Sequence, residues 1–235
     1  MKGVRRMALY ALGDLHLSLS VNKPMDVFGG AWNGYVEKLR QGLSVIGHED
    51  TTVLLGDLTW AMGLEQAEED FAFINAIPGR KIILKGNHDY WWTTAKKFYD
   101  FCAEKGFKDM WILNNNAYEY EGIALCGTRG WFFEEDAAEG SHNDKIFKRE
   151  LIRLETSLKA AGGREKYCFL HYPPRYRGYE CPEILQLLKD YGVSLCCYGH
   201  LHSDSHKLAI EGMHDGVEFR LCAADFLGFR PMRLK

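Results

Sequence analysis

Apolar and polar positions alternate along this chain in blocks. The runs "MALYALGD" (7–14), "TTVLLGD" (51–57), "KIILKGN" (81–87), "KYCFLH" (166–171) and "VSLCCYGH" (193–200) are short, apolar and stopped abruptly by polar residues, which predicts buried strands. Between them the period changes. Val36, Leu39, Leu43 and Ile46 fall at i, i+3, i+7 and i+10, and Leu64, Ala67, Phe71 and Ile74 repeat that spacing, so each set predicts a helix with one buried stripe. Ile184, Leu185, Leu187, Leu188 and Tyr191 predict a third helix, entered through Cys181-Pro182, where Pro suits the first turn. Residues 143–160 form a fourth. Strands alternating with helices predict an α/β protein built partly on parallel strands.

Two stretches break the alternation. Residues 111–133, "WILNNNAYEYEGIALCGTRGWFF", hold an Asn-rich turn and a second turn at Glu121-Gly122, and residues 206–224 hold Asp215-Gly216 between two strand-like runs. Both read as hairpins, which makes the sheet system mixed. The acidic segment "EEDAAEGSHND" (134–144) reads as a solvated loop, and 128–144 is the stretch that could act as a lid or select substrate. A chain of 235 residues, 46% hydrophobic, can bury a full core, so one domain spanning 1–235 is expected.

Composition narrows the function. With 29 basic and 32 acidic residues and no Lys/Arg block, the chain lacks the footprint of a nucleic-acid binder. The basic start "MKGVRR" leads into an apolar run that polar residues interrupt too early for a signal peptide or a spanning helix, so a soluble, cytoplasmic protein without a membrane partner is expected. The seven cysteines include no C-x-x-C pair and read as small buried hydrophobes of a reducing compartment rather than zinc thiolates. The P-loop, G-x-G-x-x-G and H-E-x-x-H patterns do not occur, which removes their chemistries.

Each strand candidate ends on a metal-ligand type: Asp14 with His16, Asp57, Asn87, His171, and His200 with His202. Ligands of open α/β sheets bind at the carboxyl ends of parallel strands, where loops converge. Asp57 alone would read as a turn or cap residue. D-x-H and G-H-x-H are more specific, because alternate residues leaving a strand point the same way and can clasp one ion. Carboxylate, imidazole and amide oxygen without thiolate suit Mn²⁺, Fe²⁺/Fe³⁺, Co²⁺ or Zn²⁺ better than Ca²⁺ or Mg²⁺. Seven donors are too many for one ion and suit two ions that share a carboxylate. His48, His142, His206 and His214 stand alone and read as surface or hydrogen-bonded histidines.

In order along the chain, "GDLH" (13–16), "GD" (56–57), "GNHD" (86–89), "LHYPP" (170–174) and "GHLH" (199–202) resemble the five blocks of the calcineurin-like metallophosphoesterase superfamily. The resemblance implies a four-layer αββα sandwich of two mixed β-sheets flanked by helices. It also implies a two-metal centre with Mn²⁺ or Fe as the first expectation and Zn²⁺ as the second: Asp14, His16 and His202 on one ion, Asn87, His171 and His200 on the other, Asp57 bridging. His88 would face the substrate and assist the leaving oxygen, and Asp89 would fix the His88 tautomer, unless Asp89 instead caps a helix starting near Thr93. The implied reaction is hydrolysis of a phosphomonoester or phosphodiester by a metal-bridging hydroxide, between ions about 3.5–4 Å apart. A small molecule or nucleotide is the expected substrate. A nuclease and a non-catalytic scaffold are the alternatives.

One departure matters. Where protein Ser/Thr phosphatases of this superfamily carry G-D-x-x-D-R, this chain reads "GDLTWA", with Trp60-Ala61 in place of Asp-Arg, and so lacks that bidentate phosphate clamp. Arg129, in the Gly-flanked "GTRGW", is the first candidate to replace it, ahead of Arg175 and Arg177. Aromatics follow three site turns: Trp60, Tyr90-Trp91-Trp92 and Trp131. Core packing is their expected role, and a wall on which a planar group stacks is the alternative.

Overall fold

The computed structural model of the chain describes residues 7–23, 25–131 and 141–235. In chain order the regular elements are β1 (Leu9–Leu12), α1 (Tyr35–Leu43), β2 (Thr51–Leu54), α2 (Glu68–Asn75), β3 (Arg80–Ile83), α3 (Ala95–Lys105), β4 (Met110–Ile112), β5 (Tyr118–Tyr120) and β6 (Ile123–Thr128). The second half supplies α4 (Ser141–Ala160), β7 (Glu165–Leu170), β8 (Arg175–Tyr176), β9 (Tyr179–Glu180), α5 (Pro182–Asp190), β10 (Val193–Tyr198), β11 (Gly212–His214), β12 (Val217–Leu221) and β13 (Met232–Arg233). The segment read as an acidic loop lies outside the described residues up to position 140, and its last four positions open α4. The basic start also lies outside them.

Among the described residues the strands form a sheet ordered β13-β1-β2-β3-β4, a second ordered β11-β12-β10-β7-β6-β5, and the short β8-β9 ribbon. Parallel pairs fill the middle of both large sheets, and β13, β11 and β5 are antiparallel additions at the edges. Both sheets are therefore mixed. Asp215-Gly216 does turn a hairpin, β11 to β12, and Glu121-Gly122 turns another, β5 to β6. The Asn-rich turn does not: β4 pairs parallel with β3 in the first sheet, while β5 belongs to the second. Residues 113–117 are thus the crossover between sheets, because β4 extends a parallel ladder and cannot fold back on itself.

Alternation within each strand builds four layers. Leu9, Ala11, Val53, Leu55, Ile82 and Leu84 face Ile123, Leu125, Tyr167, Phe169, Leu195 and Cys197 between the sheets. Their neighbours Tyr10, Leu12, Leu54 and Ile83 point the other way, onto Leu39, Leu43, Phe71, Ile74 and Phe98 of α1, α2 and α3. On the far side Cys126, Cys168, Leu170, Cys196 and Tyr198 meet Leu154 and Leu158 of α4 and Ile184 and Leu188 of α5. The sandwich is helices, sheet, sheet, helices, as the family resemblance implied. The seven cysteines are buried with free thiols, and among the described residues no helix is long and apolar enough to cross a membrane.

Phe169 is fully buried between the sheets, so Phe169→Ala is expected to lower the unfolding free energy by about 3–5 kcal/mol, read from urea unfolding with an unchanged far-UV spectrum.

Candidate metal centre

The strands' carboxyl ends carry the site, and the backbone there crosses between the sheets. The Gly13 amide donates to the Cys222 carbonyl (2.7 Å) and the Ala224 amide to Gly13 (3.0 Å), while inside the second sheet the Gly199 amide donates to His171 (3.0 Å). Within the first sheet, Asp14 N donates to Gly56 (2.9 Å) and His16 N to the Asp57 carbonyl (2.9 Å). These turns demand unusual backbone: Asp14, His16, Asp57 and His200 have φ of 61°, 45°, 51° and 70°. A non-glycine residue held in the left-handed region costs of order 1 kcal/mol or more, a strain that clusters at functional sites.

Glycine clears the way for the carboxylates. A Cβ at Gly86 would lie 2.0 Å from Asp57 Oδ1, and one at Gly199 would lie 2.4 Å from Asp14 Oδ2. That close approach is what the opening Gly of "GNHD" and of "GHLH" provides.

All seven sequence-predicted ligands converge. His16 Nε2 lies 3.3 Å from His202 Nε2, and His202 Nε2 lies 3.5 Å from Asp14 Oδ1. Beside this trio, Asn87 Oδ1 is 2.6 Å from His171 Nε2 and 3.1 Å from His200 Nδ1. Asp57 stands between the two groups: Oδ2 is 3.8 Å from His16 Nε2 and 3.5 Å from His171 Nε2. Its other oxygen accepts the His88 amide at 2.7 Å, which fixes which oxygen faces both groups.

The donor chemistry fits cations. His171 Nδ1 donates to the Leu55 carbonyl (3.0 Å), so the lone pair is on Nε2, and it points at two oxygens, those of Asn87 and Asp57. Three acceptors aimed at one point repel one another unless a positive ion lies among them. Asp14 and Asp57 are buried, and burial, with Asp89 and Asp14 nearby, pushes the Asp57 carboxyl well above its usual range. Burial and the neighbouring imidazoles hold His200 down to about 3. His171, lowered chiefly by burial, is also near 3. Both rings are therefore neutral and available as ligands at pH 7. For His202 burial opposes the charge, but Asp14 and Asp225 outweigh it and raise the ring to about 10.

Asp225 was not legible in the sequence. It follows β12 in "CAADF", with no motif around it, yet Oδ1 accepts from His202 Nδ1 (2.9 Å), which aims Nε2 at the ligand cluster. Oδ2 lies 3.3 Å from His206 Nε2. His206, read as an isolated histidine, thus belongs to the support of the centre.

Asp89 takes neither role expected of it. Its carboxylate accepts from Asp57 N (2.8 Å), Leu58 N (2.9 Å), Gly86 N (2.7 Å) and Trp91 Nε1 (2.8 Å), and Thr94, not Asp89, caps α3. Four donors saturate it, so it cannot orient the His88 ring. His88 Nδ1 is buried without a partner among the described residues, and burial lowers the ring's pKa. His88 lies outside both ligand groups and lines a cavity of about 890 Å³ together with His16 and His202.

The arginine candidates fare differently. Arg175, in β8, is tied to Glu180 (2.7 Å) and Asp215 (2.9 Å), which overturns it as a phosphate ligand. Arg129 places its guanidinium over Trp131 and Tyr172, 5.9 Å from each ring centroid. It lines a separate polar cavity of about 150 Å³ with Lys85, Glu150 and Arg153, not the large cavity at His88. The aromatics divide as well. Trp91 packs on Phe71, Phe98 and Trp92, and Trp131 on Phe147, as core packing predicts. Trp60 instead stacks on His16 (centroids 5.0 Å apart, 24° between planes) and lies 4.4 Å from the His88 ring.

The sequence matches the family model described as calcineurin-like phosphoesterase over residues 7–204. Among solved structures, the phosphopantetheinyl hydrolase of Mycobacterium tuberculosis is similar with a TM-score of 0.58 at 14% identity, over 96% of this chain and 95% of that one. TT1561 of Thermus thermophilus gives 0.55 at 12% identity, over 97% of each chain. AQ665 of Aquifex aeolicus, a protein of unknown function, gives 0.51 at 18% identity, over 97% of this chain and 96% of that one. At such identities the likeness is one of fold. A comparison with curated proteins finds no match.

Two outcomes test this geometry. Asp89→Ala leaves four buried donors unpaired, at about 1–3 kcal/mol for each such group, and is expected to lose several kcal/mol of stability in urea unfolding together with metal retention. Gly199→Ala drives a methyl into Asp14 and is expected to keep the fold, by circular dichroism, while lowering the bound metal measured by elemental analysis.

Proposed function

The chain belongs to the calcineurin-like phosphoesterase family, and on that premise we propose that it is a dinuclear metal-dependent phosphohydrolase acting on a small phosphorylated substrate. The observation that carries this reading is the position of Asp57 Oδ2, which faces His16 of one donor group and His171 of the other. Asp14, His16 and His202 would hold the first ion, Asn87, His171 and His200 the second, and Asp57 both; Mn²⁺ or Fe suits these oxygen and imidazole donors first, Zn²⁺ next. Bound ions supply Lewis-acid charge that polarises the phosphoryl oxygens and makes water nucleophilic near neutral pH.

The chain's own residues do the rest. Asp225 and the Leu55 carbonyl orient His202 and His171 through their Nδ1 atoms; His171 Nε2 is already free to ligate, and His202, raised to about 10, would release its Nε2 proton on ligating. The His88 amide holds Asp57. The His88 ring, kept neutral by burial, offers an N–H to the departing ester oxygen from the cavity side. Arg129, whose carbonyl accepts the His171 amide (3.1 Å) while its side chain lines the separate polar cavity, remains our candidate for a group that attracts the phosphate. The named activity of the Mycobacterium tuberculosis relative adds a phosphopantetheinyl compound to the substrates worth assaying.

Protein stripped with a chelator is expected to lose hydrolysis of p-nitrophenyl phosphate or bis-p-nitrophenyl phosphate and to regain it with Mn²⁺, Fe²⁺ or Zn²⁺, binding two ions per chain. The ratio of the two rates separates monoesterase from diesterase. Asp57→Asn is expected to lower occupancy of both ions. His88→Ala should retain both and lose about a hundredfold or more in kcat. Turnover indifferent to chelation would overturn the reading.

A further inference from the structure

The large cavity beside the metal centre is built for something other than phosphate. His16, His88 and His202 form its floor, and its walls are mainly apolar: Met25, Phe28, Trp32, Trp60, Met62 and Tyr90. Two 3₁₀ turns, Met25–Phe28 and Gly30–Trp32, bring three of these side chains in. They are anchored by Ser203 Oγ donating to the Phe28 carbonyl (3.2 Å) and Lys38 Nζ to Ala31 (2.6 Å). At the mouth, Phe28 is 49% exposed, Met62 68% and Tyr90 54%, large apolar surface of the kind that marks a binding site. Lys23 is the only Lys or Arg among the described lining residues.

We propose that the group esterified to the phosphate is an aliphatic chain, which this cavity holds while the phosphate lies on the metal centre. The proposal rests on the phosphohydrolase reading above and names its substrate class. About 890 Å³ is the size of a site for a ligand of tens of heavy atoms. Flexible Met25 and Met62 adapt to an irregular chain. A sugar or polyphosphate would need more polar partners than the Lys23 ammonium, the Asn22 and Gln66 amides and the Tyr90 and Ser203 hydroxyls supply. A nucleobase is disfavoured too: the Trp60 ring already stacks on His16 and has Lys23 Nζ over it at 4.5 Å, its Nε1 donates to Met25 Sδ (3.1 Å), and Gln66 Oε1 is taken by the Met62 amide (2.8 Å). The reaction is hydrolysis of the alkyl phosphate: water adds to phosphorus, the P–O bond to the chain breaks, and one water proton ends on the departing oxygen, giving an alcohol and inorganic phosphate.

The test uses the full metal-loaded chain with butyl, hexyl and octyl phosphate below their aggregation concentrations, beside AMP and p-nitrophenyl phosphate. A buried methylene is worth about fourfold in affinity, so kcat/KM is expected to rise at least tenfold from butyl to octyl, with AMP no better than butyl. Phe28→Ser and Met62→Ser should shrink the octyl-to-butyl ratio, and Met62→Leu should restore it. A flat series, or AMP above octyl, with p-nitrophenyl phosphate still hydrolysed, overturns the aliphatic pocket and leaves the phosphohydrolase standing. Should no ester be turned over, calorimetry with octyl- and butylphosphonate decides the pocket separately: tighter octyl binding supports it, and equal binding overturns it.

Discussion

Four N–H donors converge on one buried carboxylate, that of Asp89, and the centre depends on that convergence. Two of the donors come from residues 57–58 after β2 and one from Gly86 after β3, with the Trp91 indole completing the set. An ionised carboxylate removed from water is tolerated only where hydrogen bonds replace its hydration. Because the donors come from two strand ends, satisfying Asp89 brings those ends to one spacing. Asp57 and Asn87, candidate ligands just beyond neighbouring strands, are positioned as a consequence.

Strain and clearance follow. Four of the candidate ligand residues sit at positive φ, a conformation a free loop would relax. Paired amides and carbonyls across the sheets, such as Gly13 with Cys222 and Ala224, over-determine these turns and hold them. Gly86 and Gly199 matter here less for their flexibility than for the side chain they lack, since an added Cβ would occupy the space of the Asp57 and Asp14 carboxylates.

Electrostatics then give the centre its purpose. Buried carboxylates, the neutral imidazoles of His171 and His200 and an amide oxygen point at one another, with His202, raised to about 10 against burial by Asp14 and Asp225, as the one cationic ring among them, and the set offers more lone pairs than protons at that place. Cations complete it. The wall on the substrate side is different in kind: apolar, wide and bordered by exposed Phe28, Met62 and Tyr90. Charge and apolar surface lie side by side, so one molecule carrying both is what the two regions fit jointly.

Strand–helix alternation and the seven candidate ligands were legible in the sequence, because hydrophobic period is local and D-x-H, G-N-H-D and G-H-x-H keep their spacing along the chain; the layered fold was implied by the family resemblance those motifs carry. Single polar residues far apart were not. Asp225 supports His202 across 23 residues of chain, and Asp89 reaches back to Asp57 across 32; such pairings exist only once the sheets are stacked. The Asn-rich turn looked like a hairpin because turn chemistry says that the chain bends, not which sheet it enters next. Likewise Trp60 and Trp91 are indistinguishable as aromatics after a site turn, and packing alone placed one on His16 and the other in the core. The sequence determined which atoms could bind metal; the tertiary structure decided how they are held and what surface stands beside them, since both depend on contacts between residues with no fixed separation along the chain.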